Sequence, residues 1–215
     1  MQTFLPYPDF VQSVSVLNDK RLFKQVVEAR QILNTLILKK GWIHHPAVLQ
    51  WEGFESGLIK YAYFAAEECI VRGINGHGEV EKLDQLGITP DDNTPPWIGT
   101  ETIHSSHRSR LLCKGYGDSV CDGLKKVLRF KKTDDFLKSL IGKTKNELKY
   151  ADVVGLDKYY HTLSTEPLAE NYYKQFGWTD DPAAEYVWPS NIYRKIIAKS
   201  QNVPLKGASH KRIWK

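Results

Sequence analysis

The chain has 215 residues and a formal net charge of +5, with 41% hydrophobic and 12% aromatic residues. This length fits one domain, and this composition supports a sizeable core and excludes global disorder. No apolar run approaches the roughly 20 residues of a membrane span, and the start "MQTFLPYPDF" lacks the pattern of a secretory signal. The odd number of cysteines (Cys69, Cys113 and Cys121) indicates reduced thiols in a cytoplasmic protein.

Helical periodicity runs through almost the whole chain, which predicts an all-α fold, a compact single-domain helical bundle. Asn18 or Asp19 can cap a first long helix that ends near Gly41. A second helix is predicted from Pro46 to Arg72. Its apolar stripe consists of Phe54, Leu58, Ala62, Ala65 and Cys69.

Beyond Gly73 the predicted elements are shorter. Residues 75–101 are rich in turn residues and predict a loop. Further helices are predicted over 102–113, in fragments of the Lys-rich region 117–150, from Thr165 to Trp178, and from near Pro189. A basic tail at 200–215 follows them.

The first long helix gathers two basic side chains around one carboxylate. On a helical wheel the buried side consists of Leu22, Val26, Ala29, Leu33 and Leu36. The opposite, polar side consists of Arg21, Lys24, Gln25, Glu28 and Gln31. Arg21 and Lys24 precede Glu28 by seven and four residues, so the three side chains can touch. This pattern is typical either of a solvated face with weak ion pairs, or of a carboxylate that cations hold ionised before an anionic substrate.

Two other clusters are candidates for contact with a polyanion. The piece "SSHRSR" offers His107, Arg108 and Arg110 beside three serines, and these side chains donate readily to phosphate oxygens. A polar helix face is the alternative interpretation. His44 and His45 lie at a helix start, where they can meet an anion or serve as a cap or buried hydrogen-bonding group.

Three tryptophans and one pair of histidines are further candidates, for base stacking and for metal ligation respectively. Trp51 is predicted to be a core residue, whereas Trp97 and Trp188 lie beside prolines and can equally stack on a base or pack inside the protein. His104 and His107 are three residues apart, but no second short-range ligand pair accompanies them. No metal site and no cofactor are therefore predicted.

Several sequence pieces occur in an order that resembles a known family. They are "TFLPY", "DKRLFKQVVEARQIL", "HPAVLQW", "PPWIG", "HSSHRSRLL" and "YVWP", and they cover most of residues 1–113 and then 186–189. In these pieces the chain is similar to bacterial and viral proteins of the pyrimidine dimer DNA glycosylase (endonuclease V-like) family. The resemblance implies a helical fold of the endonuclease V type and a double-stranded DNA substrate that contains a damaged or modified base. The residues predicted to contact this DNA are Arg21, Gln25, His44, His45, His107, Arg108, Arg110 and Trp188.

The resemblance also implies roles for individual residues. Glu28 matches the catalytic carboxylate of the family, which stabilises the positive charge that develops at the sugar C1′ when the N-glycosidic bond breaks. The bacteriophage member uses the α-amine of a threonine exposed by removal of methionine. Here Gln2 follows Met1 and should block that removal, so the amine of Met1, Lys24 and water remain alternative nucleophiles. An amine would give AP lyase activity through an imine, and water would leave an intact abasic site.

One segment departs from the family. Residues from about 116 to 184 separate the "SHRS" helix from "YVWP", and they form an insertion suited to extra DNA contact or substrate restriction. The expected protein is a monomeric DNA glycosylase, without a membrane partner, in the cytoplasm of a bacterial cell or a virus-infected host cell. The alternative is a non-catalytic DNA-binding protein that keeps the glycosylase fold.

Overall fold

The computed structural model describes residues 2–128 and 171–189, and of residues 117–128 it describes the backbone alone. The predictions for Met1, for most of the insertion and for the basic tail therefore lie outside the described residues. The chain divides into two compact units by its internal contacts: unit 1 comprises residues 1–103 and 187–215, and unit 2 comprises residues 104–186. The single-domain organisation stays a prediction.

The regular structure of the described residues is entirely helical, which confirms the all-α prediction. The elements are α1 (Phe10–Ser15), α2 (Asp19–Leu38), α3 (Pro46–Leu49), α4 (Glu55–Val71), α5 (His77–Asp84), α6 (Glu101–Leu128) and a 3-10 helix (Tyr172–Phe176). Within these ranges, no helix is long and apolar enough to cross a membrane.

The first long helix, α2, follows its sequence pattern closely. The side chain of Asn18 caps it by accepting a hydrogen bond from the Arg21 main-chain N–H at 3.1 Å. The helix ends at Leu38, and Lys39 then adopts the left-handed conformation. The predicted apolar side is buried at all five positions: Leu22, Val26, Ala29, Leu33 and Leu36. Burial of this stripe supplies the main free energy that docks α2, since each large aliphatic side chain contributes about 1.5–3 kcal/mol.

The single helix predicted from Pro46 to Arg72 is two helices in the structure, so this prediction is wrong. α3 ends at Leu49 and α4 begins at Glu55. Between them Gly53 has a φ of 83°, a conformation that glycine adopts readily and that interrupts a right-handed helix. Most of the predicted stripe is nevertheless buried on α4: Leu58, Ala62, Ala65 and Cys69.

Arg72, which caps the end of α4, fixes the junction of α1 and α2. Its Nη1 donates to the main-chain oxygen of Leu17 at 2.6 Å, and its Nη2 donates to that of Ser15 at 2.7 Å. Its Nε donates to the Glu68 carboxylate at 2.7 Å. Because a guanidinium presents its donors in a planar fork, this one side chain satisfies carbonyl oxygens left open where α1 ends. The start of α2 is thereby fixed relative to α4.

The region predicted as a loop at 75–101 contains α5, so part of that prediction is wrong. Glu79 on α5 is 5% exposed and accepts hydrogen bonds from Arg30 of α2 at 2.9 Å and from Lys82 at 2.6 Å. Burial opposes ionisation of Glu79, but the hydrogen bonds from Lys82 and Arg30 lower its pKa. The contact with α2 stabilises a short helix whose own sequence signals are weak.

Unit 2 contains most of α6, which runs well past the end predicted at residue 113. Asn171 packs against this helix, and its Nδ2 donates to the main-chain oxygen of Leu112 at 2.9 Å. The contact depends on Gly115, because a Cβ there would lie 1.9 Å from Asn171 Oδ1. The described part of the helix predicted from Thr165 is a 3-10 helix rather than an α-helix.

Two of the three cysteines have described side chains. Cys69 and Cys113 are free thiols, as the odd cysteine count predicts. Burial raises the pKa of the Cys69 thiol to about 11, so this group stays protonated and unreactive at neutral pH. The side chain of Cys121 lies outside the described residues.

Candidate active site

Glu28 lies on α2 in contact with the N-terminal segment, which we define as residues 2–4. Its Oε2 accepts a hydrogen bond from the main-chain N–H of Gln2 at 3.0 Å. Its Oε1 lies 3.6 Å from Lys24 Nζ. The Glu28 side chain is 12% exposed, whereas that of Lys24 is 67% exposed. The carboxylate is therefore nearly buried, with one oxygen held by the main chain and the other facing a solvated cation.

Gln25 joins the N-terminal segment to α2. Its Oε1 accepts a hydrogen bond from the Phe4 N–H at 2.7 Å, and its Nε2 donates to the main-chain oxygen of Gln2 at 3.2 Å. The Tyr61 hydroxyl, on α4, lies 2.9 Å from the main-chain oxygen of Phe4 and 3.1 Å from Gln25 Oε1. The amide side chain of Gln25 thus supplies both a donor and an acceptor to the main chain of the segment, as a neighbouring β-strand would. The position of Gln2 beside Glu28 follows from these contacts.

Thr3 anchors the same segment on its other side. Its Oγ1 accepts hydrogen bonds from Gln50 Nε2 at 2.8 Å and from Trp51 Nε1 at 3.0 Å, and Thr3 is fully buried. Trp51 is fully buried too, which confirms that it is a core residue. Trp97 packs edge to face on Trp51 and donates to the main-chain oxygen of Gln50 at 3.1 Å, so it is a packing residue.

The polar side of α2 is not a uniformly solvated face. Arg21 is 8% exposed and Gln25 is 1% exposed, because other segments of the chain cover them. A helical wheel does not predict this burial, since it contains no information about neighbouring segments. The ion pair of Lys24 with Glu28 is present, as the spacing of four residues predicts. The DNA contacts of Arg21 and Gln25 stay predictions, and the structure shows a different task for Gln25 in holding the N-terminal segment.

His45 caps α3 and contacts two tryptophans. Its Nδ1 accepts a hydrogen bond from the Ala47 N–H at 3.1 Å, which confirms the capping interpretation. Burial lowers the pKa of His45, and an accepting Nδ1 places the ring proton of the neutral form on Nε2. The rings of Trp42 and Trp188 meet it edge to face, each at 5.8 Å between centroids. His44 is exposed.

In unit 2, Arg108 forms a bidentate pair with Asp180. Arg108 Nε donates to Asp180 Oδ2 at 2.8 Å and Nη2 donates to Oδ1 at 3.1 Å, while Ser105 Oγ donates to Oδ1 at 2.6 Å. The side chains of Arg108 and Asp180 are 12% and 10% exposed. Burial opposes ionisation of Asp180, but the hydrogen bonds from Arg108 and Ser105 lower its pKa. A phosphate contact of Arg108 stays a prediction, and this arginine already has a carboxylate partner.

The other two basic candidates on α6 differ from each other. His107 is fully buried, and its ring stacks on that of Tyr186 at 4.9 Å between centroids. The Tyr186 hydroxyl also lies 2.7 Å from His107 Nε2. Arg110 is exposed. The DNA contacts of His107 and Arg110 stay predictions. Of these two side chains, the exposed guanidinium of Arg110 is the one that a phosphate can reach without rearrangement of the protein.

Replacing Arg108 by Ala should destabilise unit 2. The change would leave the Asp180 carboxylate buried without its cation, and breaking a buried ion pair costs about 3–5 kcal/mol. We expect the free energy of unfolding, measured by chemical denaturation, to fall by about 3 kcal/mol. The matched control is Arg110→Ala, an exposed arginine on the same helix, which should change it by less than about 0.5 kcal/mol.

The pH dependence gives a second readout of the same pair. Because the folded state lowers the pKa of Asp180, the pair contributes stability above the ordinary aspartate pKa of about 3.9, and this contribution is lost as the pH falls through the lower folded value. Asp180→Asn should therefore lose less stability than the unmodified chain between neutral pH and pH ~3. Equal acid sensitivity of the two proteins would show that the pair contributes nothing.

In the part of the chain that the structure describes, no group of three His, Cys, Asp or Glu side chains is placed to hold a metal ion. His104 and His107 are both fully buried. His107 contacts Tyr186 through both its ring face and its Nε2.

The fold and the site together define an all-α protein with a nearly buried helix carboxylate held against the N-terminal main chain. Residues 1–82 match the family model described as pyrimidine dimer DNA glycosylase. This match confirms the predicted family resemblance for the part of the chain that contains Glu28, Lys24 and the N-terminal segment. Neither a curated protein nor a solved structure matches the chain significantly.

Proposed function

We propose that this chain is a DNA glycosylase that cleaves the N-glycosidic bond of a damaged or modified pyrimidine in double-stranded DNA. The observation that carries the proposal is the position of Glu28, nearly buried and hydrogen-bonded to the Gln2 main chain at 3.0 Å. This position lies within the residues that match the glycosylase family model.

Glu28 supplies the charge that the reaction needs. Breaking the bond between base and sugar develops positive charge at C1′, and a preorganised carboxylate stabilises that charge more strongly in a nearly buried site than in water. The hydrogen bond from Gln2 to Oε2 fixes the orientation of the carboxylate. Oε1 lies 3.6 Å from Lys24 Nζ, beyond ordinary hydrogen-bond length, and is the oxygen proposed to face the sugar.

The α-amine of Met1 is proposed as the nucleophile. Met1 lies outside the described residues, but its nitrogen is joined to that of Gln2 through one residue of backbone, a reach of about 3.6 Å. The Gln2 nitrogen is 3.0 Å from Glu28 Oε2. An α-amine has a pKa of about 7.7–8, so a useful fraction is unprotonated at neutral pH.

The proposed step conserves atoms and charge. The amine nitrogen bonds to C1′ while the C1′–N bond to the base breaks, and the base leaves with that electron pair and takes up a proton. The proton that the base takes up comes from the amine nitrogen. As the C1′–O4′ bond of the sugar then breaks, the second N–H proton passes to O4′, which leaves a C1′=N imine and permits subsequent strand cleavage as an AP lyase. Water and Lys24 are the competing nucleophiles, and Lys24 is 67% exposed and paired with Glu28.

Exposed basic side chains are proposed to contact the DNA backbone. Lys24, His44 and Arg110 are exposed and carry the charge or donors that phosphate oxygens accept. Arg21, His107 and Arg108 are largely buried and would have to change their surroundings before meeting a phosphate.

The proposed function is tested by mass spectrometry of bases released from UV-irradiated and chemically modified duplex DNA, with a parallel assay for alkali-labile sites. We expect release of one class of damaged or modified pyrimidine. If the protein binds the DNA but releases no base and leaves no alkali-labile site, the non-catalytic DNA-binding alternative holds instead.

Replacing Gln25 by Leu should slow base excision without removing Glu28. Leucine fills a similar volume but leaves the Phe4 N–H and the Gln2 oxygen without their partner, so the N-terminal segment shifts relative to the carboxylate. A misplacement of about 1 Å can slow catalysis by about 100-fold. Single-turnover excision assays should show a reduction of about 10-fold to 100-fold.

The matched control for this variant is Gln31→Leu, an exposed glutamine on the same helix. Hydrogen exchange at the Phe4 amide should accelerate in Gln25→Leu and stay unchanged in Gln31→Leu. Normal excision in a Gln25→Leu protein with a rapidly exchanging Phe4 amide would show that the segment does not position the site.

A further inference from the structure

Unit 1 carries an aromatic surface, made of one exposed ring and two half-buried rings, that the proposed function does not use. We define it as Trp42, His45 and Trp188, whose rings contact one another edge to face at 5.8 Å through His45. Trp42 is 65% exposed, whereas Trp51 and Trp97 are at most 2% exposed. A tryptophan left this open contributes little to folding, so its exposed ring face is available to a ligand.

The loop that presents Trp42 has a defined conformation. Lys39 and Gly41 both adopt left-handed backbone angles, with φ of 49° and 81°. For Lys39 this conformation is unfavourable because of its Cβ, and such angles persist where the surrounding structure holds them. The Trp42 main-chain oxygen then accepts a hydrogen bond from the His45 N–H at 2.8 Å. The indole is thus carried on a fixed turn.

The charges around the aromatic surface favour nucleic acid. Lys39, Lys40 and His44 are exposed in the same loop, and residues 37–45 contain no acidic side chain. One carboxylate outside the loop, that of Glu52, lies 4.0 Å from Lys39 Nζ. Exposed rings flanked by cations are the pattern by which proteins stack on bases and contact the adjoining phosphates. Interfaces with other proteins are instead depleted in lysine at their centres.

The aromatic surface is connected to the candidate active site within unit 1. His45 starts α3, a helix only about 6 Å long, and Gln50 follows its end. Gln50 binds Thr3 of the N-terminal segment, and the neighbouring Gln2 binds Glu28. The aromatic surface is thus linked through α3 and Gln50 to the segment that contacts Glu28.

We propose that the aromatic surface binds an unpaired nucleobase of the DNA by stacking, with Trp42 as the main platform. The proposal rests on the proposed function, because it takes DNA as the substrate. An enzyme that acts on a base within a duplex must unstack that region, and a ring that stacks on an unpaired base offsets part of the free energy of opening.

The test compares two duplexes that differ only in one unpaired nucleotide, a single-base bulge against full pairing, by fluorescence anisotropy at one salt concentration. Trp42→Ala should raise the Kd for the bulged duplex by about 5-fold to 150-fold, the range that loss of one stacking aromatic gives. The Kd for the paired duplex should change by less than about 2-fold. Trp42→Tyr should keep most of the preference, because it keeps a ring.

Val71→Ala is the control, since it shortens another exposed apolar residue of unit 1, 80% exposed. The proposal is overturned if the unmodified protein does not prefer the bulged duplex, or if Trp42→Ala weakens both duplexes equally. It is also overturned if Trp42→Ala changes only self-association in sedimentation velocity, because the exposed Ile37 and Leu38 nearby would then mark a protein contact.

Binding and excision are measured separately, so the two proposals fail separately. A preference for the bulged duplex that depends on Trp42, in a protein that releases no base, supports the stacking site and refutes the glycosylase. If the protein releases a base but Trp42→Ala leaves the Kd for both duplexes unchanged, only the stacking site is refuted.

Discussion

Glu28→Gln is expected to lower the rate of base release by at least about 100-fold, the scale of losing a major electrostatic stabiliser. Glutamine keeps the size and helix propensity of glutamate, and its side-chain oxygen can still accept the hydrogen bond from the Gln2 N–H. The N-terminal segment should therefore keep its position. The change removes the negative charge that stabilises C1′ in the transition state.

Single-turnover excision and equilibrium DNA binding should be measured on the same protein. Binding should persist, because a carboxylate does not attract phosphates. The control is Glu67→Gln, which removes one negative charge from an exposed position on α4 and should leave excision unchanged. Near-normal excision by Glu28→Gln would remove Glu28 from the catalytic role.

The parts of the fold that were predictable depend on local sequence. α2 was predictable because its cap, Asn18, directly precedes the helix and its apolar period of 3.6 residues lies within the helix. α5 was not predictable, because its stability depends on the contact of Glu79 with Arg30, 49 residues away in sequence. The break before α4 had a local signal in Gly53, but a glycine within a helical pattern does not reveal its φ.

The contacts of the candidate site were likewise predictable only where they join residues close in sequence. The pair of Lys24 and Glu28 follows from a spacing of four residues on one helix. The contacts of Gln25 with Gln2 and Phe4 span more than 20 residues, and no periodicity predicts them. The apolar start of the chain was the available signal, since Phe4 and Leu5 are buried and a buried segment must satisfy its main-chain groups.

These long-range contacts explain why the N-terminal segment matters to the proposed chemistry. Gln25 and Tyr61 bind its main chain, Thr3 binds Gln50 and Trp51, and Gln2 reaches Glu28. Five side chains from three parts of unit 1 thus hold three residues. A segment with no task beyond covering the core would need its apolar side chains buried, but it would not need its first amide hydrogen-bonded to a carboxylate.

Adding three residues before Met1 should therefore abolish imine formation. The extension turns the Met1 amine into an amide, which is not nucleophilic, and moves the new amine several ångströms from Glu28, at about 3.3–3.6 Å for each added residue. In the unextended chain, borohydride should trap a covalent protein–DNA adduct that peptide mapping places on residue 1. The extended chain should give no adduct, whereas the same three residues added after Lys215 should leave adduct formation intact.

The products distinguish the three nucleophiles. Attack by the Met1 amine gives the trapped adduct and a cleaved strand in the unextended chain only. Attack by water gives no adduct and an intact abasic site with either chain. An adduct that maps to Lys24 would make that lysine the nucleophile and would exclude both other routes. We expect the Met1 adduct, because the Gln2 amide nitrogen is held 3.0 Å from the Glu28 carboxylate and the Met1 amine is joined to that nitrogen through only the Cα and carbonyl carbon of Met1.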